Sequence, residues 1–172
     1  MLFRCLLLGC WLAATVPMPA ISQAATSAEA LPIADRVVVA KSERRLYLMR
    51  GGVPFRSFRV WLGLVPQGRK EQEGDFRTPE GSYRLDAKNA QSDYFLSIHV
   101  SYPNSSDLAQ ARRAHVAPGG AIMIHGLPNL PKHPSDYYFR NDWTNGCIAL
   151  TNDDMLEVWL LTRVDTPIEI KP

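Results

Sequence analysis

Prolines and glycines interrupt this chain so often that long helices cannot dominate its fold. The 172 residues include 13 prolines and 11 glycines, about one residue in seven, and proline ends a helix because it lacks an N–H and clashes with the preceding turn. Hydrophobic residues make up 46% of the chain and charged residues 21%, which is the composition of one globular domain. The sequence therefore predicts a single, mainly β domain.

The charge balance argues against a polyanionic partner. Lysine and arginine number 19 against 17 aspartates and glutamates, which gives a formal charge of +2. So small a charge, spread evenly along the chain, provides no basic surface for a phosphate backbone. We expect no nucleic acid partner.

The first 24 residues have the pattern of a signal peptide. One positive charge precedes an apolar run over residues 5–16, and the small residues Ser22 and Ala24 fit a cleavage site. As a helix this run is about 18 Å long, shorter than a hydrocarbon core of about 30 Å. We expect an exported, periplasmic protein with no stable membrane insertion after the signal is removed.

The cysteines also bear on function. Cys5 and Cys10 lie in the signal; a lipidation site at Cys10 is disfavoured because the apolar run continues beyond it. Cleavage would leave Cys147 as the one cysteine, and an unpaired thiol is a liability in an oxidising compartment unless it has a function. The alternative is that Cys147 is only a small buried apolar residue.

Hydrophobic patterning divides the rest into a linker, 25–34, and one domain, 35–172. Strands are predicted from β-branched or alternating apolar residues, and helices from apolar residues at helical spacing. The predicted strands are 36–40, a hairpin of 45–49 and 53–62, 82–87, 94–102, 121–124 and 167–171. The predicted helices are 106–113 and 153–163, the latter capped by Thr151 or Asn152. Long loops are expected over 63–81 and over 126–142, where three prolines argue against regular structure.

The strongest chemical signal is a thiol and an imidazole placed at the ends of apolar segments. His125 follows a short apolar strand, and Cys147 follows a polar Thr-Asn-Gly turn. A nearby imidazolium lowers the pKa of a thiol, giving a thiolate that attacks an acyl carbon. The N–H groups of Gly146 and Cys147 are candidates to bind the resulting oxyanion. Scattered histidines and one cysteine lack the spacing of a metal site, so we expect no metal.

These residues resemble the L,D-transpeptidases with a YkuD-type catalytic domain. That family has a His-Gly, a loop, and then Ser/Thr-X-Gly-Cys, found here as His125-Gly126 and residues 144–147. Residues 68–70 and 74–83 resemble the family segment around GD-x-x-TPEG-x-Y, and residues 102–104 match a further short block. The resemblance implies a β-sandwich of this family with one helix near the C-terminus and long active-site loops.

The resemblance also implies a reaction. Cys147 would be the nucleophile and His125 the proton donor and acceptor; diaminopimelate in a peptidoglycan stem peptide would form a thioester and release D-alanine. The acceptor would be an amine, either of another stem, which makes a cross-link, or of a wall-anchored lipoprotein lysine. No cofactor is implied. The alternatives are a carboxypeptidase, endopeptidase or amidase with the same nucleophile, and a non-catalytic wall-binding module.

The chain departs from the family pattern at two positions, and supporting roles are assigned around the motif. Many members have His where this chain has Asn145, and a polar residue where it has Ala149. We expect Thr144, Asn145 and Gly146 to shape the nucleophile loop. Substrate contacts are predicted for Gly126, Trp143, Asp142, Tyr83, Lys70, Arg77 and His133.

Overall fold

A computed structural model of the protein describes residues 31–172. The predicted signal peptide and most of the predicted linker lie outside these residues. The described chain contains, in order, β1 (Arg36–Ala40), β2 (Arg45–Arg50), β3 (Val53–Arg59), β4 (Gly81–Ser92), β5 (Phe95–Val100), α1 (Ser105–Ala114), β6 (Met123–His125), α2 (Ser135–Arg140), β7 (Ile148–Ala149), α3 (Asn152–Leu161) and β8 (Thr166–Lys171).

The strands form one sheet whose two edges are joined by a segment of loop. The strand order is β3-β2-β1-β8-β4-β5-β6-β7; β1–β8 and β6–β7 are parallel pairs and the other pairs are antiparallel. Trp61, just beyond β3, bridges to Ala149 in β7, with N–O distances of 2.8 and 3.0 Å. The sheet therefore folds back on itself, and the mainly β prediction is confirmed.

The predicted first hairpin, β2 and β3, forms because its turn consists of two glycines. Gly51 and Gly52 have φ values of +58° and +81°, which glycine adopts without the steric cost of a Cβ. Alternate residues of β1 and β2, Val37, Val39, Leu46 and Leu48, are fully buried. Each such side chain contributes about 1.5–3 kcal/mol by leaving water.

Helix α3 forms near its predicted position and packs on the core, and Thr151 caps it. The Thr151 hydroxyl accepts a hydrogen bond from Asp154 N–H at 3.1 Å, and Met155 and Val158 are fully buried. The helix ends at Leu161, two residues before the predicted end, because the Thr162 backbone is extended. The hydroxyl of Thr162 donates a hydrogen bond to the carbonyl oxygen of Val158, in the last turn of the helix.

The prediction that residues 126–142 lack regular structure was wrong over one segment. Helix α2 occupies Ser135–Arg140, immediately after Pro134. All three prolines of this region precede the helix, where a missing N–H breaks no helical hydrogen bond. Helix α1 matches its prediction within one residue at each end. No helix within residues 31–172 has the length and hydropathy needed to cross a membrane.

Candidate active site

Strands β6 and β7 bring His125 and Cys147 to the same side of the sheet. The two strands pair in parallel, with Ile124 beside Ile148, and both isoleucines are fully buried. Successive residues of a strand face opposite sides. Their neighbours His125 and Cys147 therefore face away from those isoleucines, towards one open cleft.

The cleft has a volume of about 560 Å³ and contains both predicted catalytic residues. One wall is the hairpin that joins β4 and β5, and the other is the loop around the nucleophile. Its lining residues are Asn89, Gln91, Ser92, Asp93, Tyr94, Ser97, Gly120, Ala121, Ile122, Met123, His125, Trp143, Thr144, Asn145 and Cys147.

A backbone carbonyl fixes the tautomer of His125. Its Nδ1 lies 2.7 Å from the carbonyl oxygen of Gly126, which can only accept, so Nδ1 carries the proton and Nε2 has the free lone pair. Burial lowers the pKa of His125 to about 4, although the Gly126 carbonyl raises it. Gly126, predicted to contact substrate, thus orients the imidazole.

The thiol of Cys147 is neutral at rest, which corrects the expected thiolate. Burial raises the pKa of Cys147, and the Met123 N–H and the Lys70 charge lower it by less. The imidazole supplies no positive charge because its own pKa is depressed. The thiol donates to the carbonyl oxygen of Ala121 at 3.6 Å. The site therefore combines a neutral thiol with a neutral base.

Thr144 shapes the nucleophile loop, as predicted. Its hydroxyl donates to the Cys147 carbonyl oxygen at 2.7 Å and accepts from the Gly146 N–H at 3.1 Å. The predicted oxyanion role of the Gly146 N–H is therefore wrong, because that donor is already bonded to Thr144. The side chain of Asn145 is exposed and lines the cleft.

Gly146 is required by its surroundings as well as by its backbone. Its φ is +127°, and a Cβ there would lie 2.7 Å from the Arg77 carbonyl oxygen. Such a contact is too close for any real Cβ. The backbone of the 63–81 loop therefore packs directly behind the residue that precedes Cys147.

The 63–81 loop is anchored by a buried lysine that no sequence motif identifies. Lys41, at the end of β1, is 2% exposed, and its Nζ donates to the carbonyl oxygens of Gly68 and Thr78 and to Glu80. The Thr78 hydroxyl in turn accepts from the N–H of Gly63 at 3.1 Å. Burial lowers the pKa of Lys41.

Asp142 and Trp143 hold the other side of the nucleophile loop. Asp142 accepts from Leu62 N–H at 2.9 Å and pairs with Arg44 at 2.9 Å, so its carboxylate is occupied by the protein. Trp143, predicted to contact substrate, lines the cleft with its ring centroid 5.6 Å from that of His125. Its Nε1 is buried and has no hydrogen-bond partner among residues 31–172.

Of the seven residues predicted to contact substrate, Trp143 alone is among the described residues that line the cleft; Gly126, Asp142 and four others lie outside it. Lys70 is buried and pairs with Asp75 at 2.8 Å, and Arg77 lies 3.6 Å from Glu71. Buried Tyr83 donates to Asp107 at 3.0 Å. His133 packs on Tyr137 with centroids 4.1 Å apart. The predictions of substrate contact need correction for all six residues, because none of them lines the cleft that contains His125 and Cys147.

Sequence reasoning missed the hairpin wall. The polar run 89–93 lies within and just after β4, and Tyr94 packs against His125 with centroids 4.6 Å apart. Ser97 on β5 is opposite His125 in the strand register. A serine among apolar residues of a predicted strand was the available signal. Within residues 31–172, no group of three or more His, Cys, Asp or Glu side chains is arranged to bind a metal.

The chain is similar to proteins of known family and structure. One relative is the protein named "Putative L,D-transpeptidase YafK" from Escherichia coli (strain K12). It is 31% identical over 94 residues, which are 54% of this chain and 30% of YafK. The structure of the helical cell shape determining protein Pgp2 from Campylobacter jejuni is 26% identical, with a TM-score of 0.62 over 80% of this chain and 48% of that one.

A third likeness concerns the fold alone. The L,D-transpeptidase (Yku) from Stackebrandtia nassauensis is 11% identical, with a TM-score of 0.55 over 86% of this chain and 62% of that one. The chain thus spans less than half the length of YafK and Pgp2. The model of the YkuD family, the L,D-transpeptidase catalytic domain, matches residues 34–170. The chain therefore belongs to the YkuD family of L,D-transpeptidase catalytic domains.

Proposed function

We propose that this protein is an exported cysteine acyltransferase that acts on peptidoglycan stem peptides. The observation that carries the proposal is the shared cleft of Cys147 and His125, in which the Gly126 carbonyl leaves Nε2 as the basic nitrogen. Acyl transfer requires a nucleophile and a general base, and a thiol beside an imidazole can supply both. The family assignment supplies the substrate class.

The first half of the reaction forms a thioester. Nε2 of His125 takes the thiol proton as sulfur attacks the carbonyl carbon of diaminopimelate, so thiolate develops only in the transition state. This route suits two groups that are neutral at rest. The tetrahedral intermediate then expels the amine of D-alanine, which leaves with the proton held by His125.

The second half transfers the acyl group to an amine. The acceptor attacks the thioester carbon, His125 takes its proton, and the departing sulfur is protonated again. A stem-peptide amine yields a cross-link, and a lipoprotein lysine yields covalent attachment. The similarity to a cell shape determining protein favours a role in wall shape.

A second candidate is a hydrolase that cleaves an existing linkage through the same thioester. The described cleft lining contains no lysine or arginine, so a D-alanine carboxylate has no cationic partner there. If the bond that is cleaved is an amide to an amine of a second chain, no free D-alanine carboxylate has to be bound, and a cationic partner is not needed. Loss of cross-links or of bound lipoprotein from treated sacculi, with no new cross-links, would select this activity.

The experiment is intact-protein mass spectrometry after mixing with a disaccharide tetrapeptide. We expect a thioester adduct and D-alanine release with the wild type and no thioester with Cys147→Ser. His125→Gln, which keeps the thiol, should acylate at least about a hundredfold more slowly. If neither this peptide nor cross-linked sacculi acylate the folded wild type, the acyltransferase proposal is overturned, and a Cys147→Ala protein with full biological effect would establish a non-catalytic wall-binding module.

A further inference from the structure

The turn between β4 and β5 is held in an unfavourable conformation at the mouth of the cleft. Phe95 has a φ of +61°, a backbone region that costs free energy for any residue with a Cβ. Asn129 holds the turn through its side chain, which donates to the Ser92 carbonyl at 2.8 Å and accepts from Phe95 N–H at 2.9 Å. Its own N–H donates to the Asp93 carbonyl at 2.8 Å.

This turn places Asp93 in the cleft lining. Among the described residues that line the cleft, Asp93 is the only one with a fixed charge, since His125 is neutral above a pKa of about 4. Asp93 is exposed, and within residues 31–172 no side chain forms a salt bridge with it. Asp75, Asp107 and Asp142 all have cationic partners.

We propose that Asp93 is a specificity-determining residue that binds a free ammonium group on the diamino-acid residue of the substrate. A lone carboxylate at a cleft mouth favours a cationic group by charge complementarity. This inference rests on the proposed function, which gives a diamino acid as the acyl donor. The ammonium is not the reacting amine, because a carboxylate stabilises the protonated form and an attacking amine must be neutral.

The test measures binding, so that it does not depend on turnover. Two probes are used: the diaminopimelate-containing disaccharide tetrapeptide with its side-chain amine free, and the same peptide with that amine acetylated. Dissociation constants are measured by calorimetry with the full chain carrying Cys147→Ala. We expect the free-amine peptide to bind about three- to fivefold more tightly, the range of a solvent-accessible ion pair.

Asp93→Asn in the same background should reduce this ratio to about one and leave the affinity for the acetylated peptide unchanged. Asp136→Asn, which removes an exposed carboxylate on α2 that pairs with Arg140, is the matched control and should keep the full ratio. A ratio that survives Asp93→Asn, a ratio of one in the parent protein, or equal losses for both peptides would overturn the proposal.

A separate measurement of acylation distinguishes this inference from the proposed function. Acylation is measured on the protein with Cys147 intact, and its absence would overturn the acyltransferase proposal. A ratio that depends on Asp93 would still establish ammonium binding in that case. Conversely, normal acylation with no dependence of the ratio on Asp93 would overturn the ammonium site alone.

Discussion

The hydroxyl of Thr144 donates a hydrogen bond to the carbonyl oxygen of Cys147 at 2.7 Å. The same hydroxyl accepts from the Gly146 N–H, so one side chain closes the turn on both sides of the residue before the nucleophile. Thr144 is 4% exposed, and water cannot readily replace it. The position of the sulfur in the cleft therefore depends on a hydroxyl three residues earlier in the chain.

Thr144→Val should destabilise the fold and slow acylation. Valine fills the same volume but leaves the Gly146 N–H and the Cys147 carbonyl oxygen without their hydrogen-bond partner. This loss should lower the free energy of unfolding by about 1–3 kcal/mol. Thr144→Ser keeps the hydroxyl and should retain most of both properties. Urea unfolding and the acylation rate followed by mass spectrometry check the pair. Equal stability of the valine and serine variants would contradict the role of the hydroxyl.

Gly126→Ala should disturb the imidazole. A Cβ at this position would lie 2.7 Å from Asn152 Oδ1 and 3.0 Å from the Cβ of Phe95, so the backbone that bears the His125 acceptor must move. We expect a loss of about 1–3 kcal/mol in unfolding free energy and slower acylation. Gly120→Ala is the stability control, since a Cβ there meets nothing within 4 Å. The prediction fails if the two variants unfold at the same denaturant concentration.

Lys41→Met should loosen the loop behind the nucleophile. The substitution leaves two carbonyl oxygens and Glu80 without their buried cation, and breaking a buried pair in this way costs about 3 kcal/mol. The loop that Lys41 holds also bonds to Gly63 through Thr78 and packs behind Gly146 through the Arg77 carbonyl. Because Gly146 precedes Cys147, acylation should slow as well. Lys171→Met, which removes a surface lysine 3.6 Å from Glu169, should change neither property. Thermal unfolding and acylation rates would decide the matter.

Acylation should persist in mildly acidic solution. His125 accepts a proton only when neutral, and its pKa is about 4, so the base is lost as the pH falls through that value. A histidine of ordinary pKa, about 6.5, would be about nine-tenths protonated at pH 5.5. We therefore expect nearly equal single-turnover acylation rates at pH 7 and pH 5.5. A roughly tenfold decrease over that interval would show that the imidazole is solvated.

The sequence alone determined the local elements and the reactive pair. Glycine pairs, β-branched runs and capping residues act within a few positions, so the first hairpin and helix α3 followed from chain-local rules. Export of the chain remains a prediction. His125 and Cys147 were identifiable because the imidazole follows an apolar strand and the thiol follows a polar Thr-Asn-Gly turn, in a recognisable order.

The tertiary structure decided which side chains reach the cleft and what charge they carry. Tyr83 belongs to the matching motif, yet its hydroxyl is engaged by Asp107, which lies 24 residues away in the sequence and whose proximity no local rule provides. Lys70 pairs with Asp75 only five residues later, but the burial of this pair is a property of the packed structure. The pKa values of His125 and Cys147 depend on burial, which is a property of the packed sheet. Asp93 and Tyr94 enter the site because β5 pairs with β6. Such long-range pairing depends on the sum of many contacts, and no short pattern of residues encodes it.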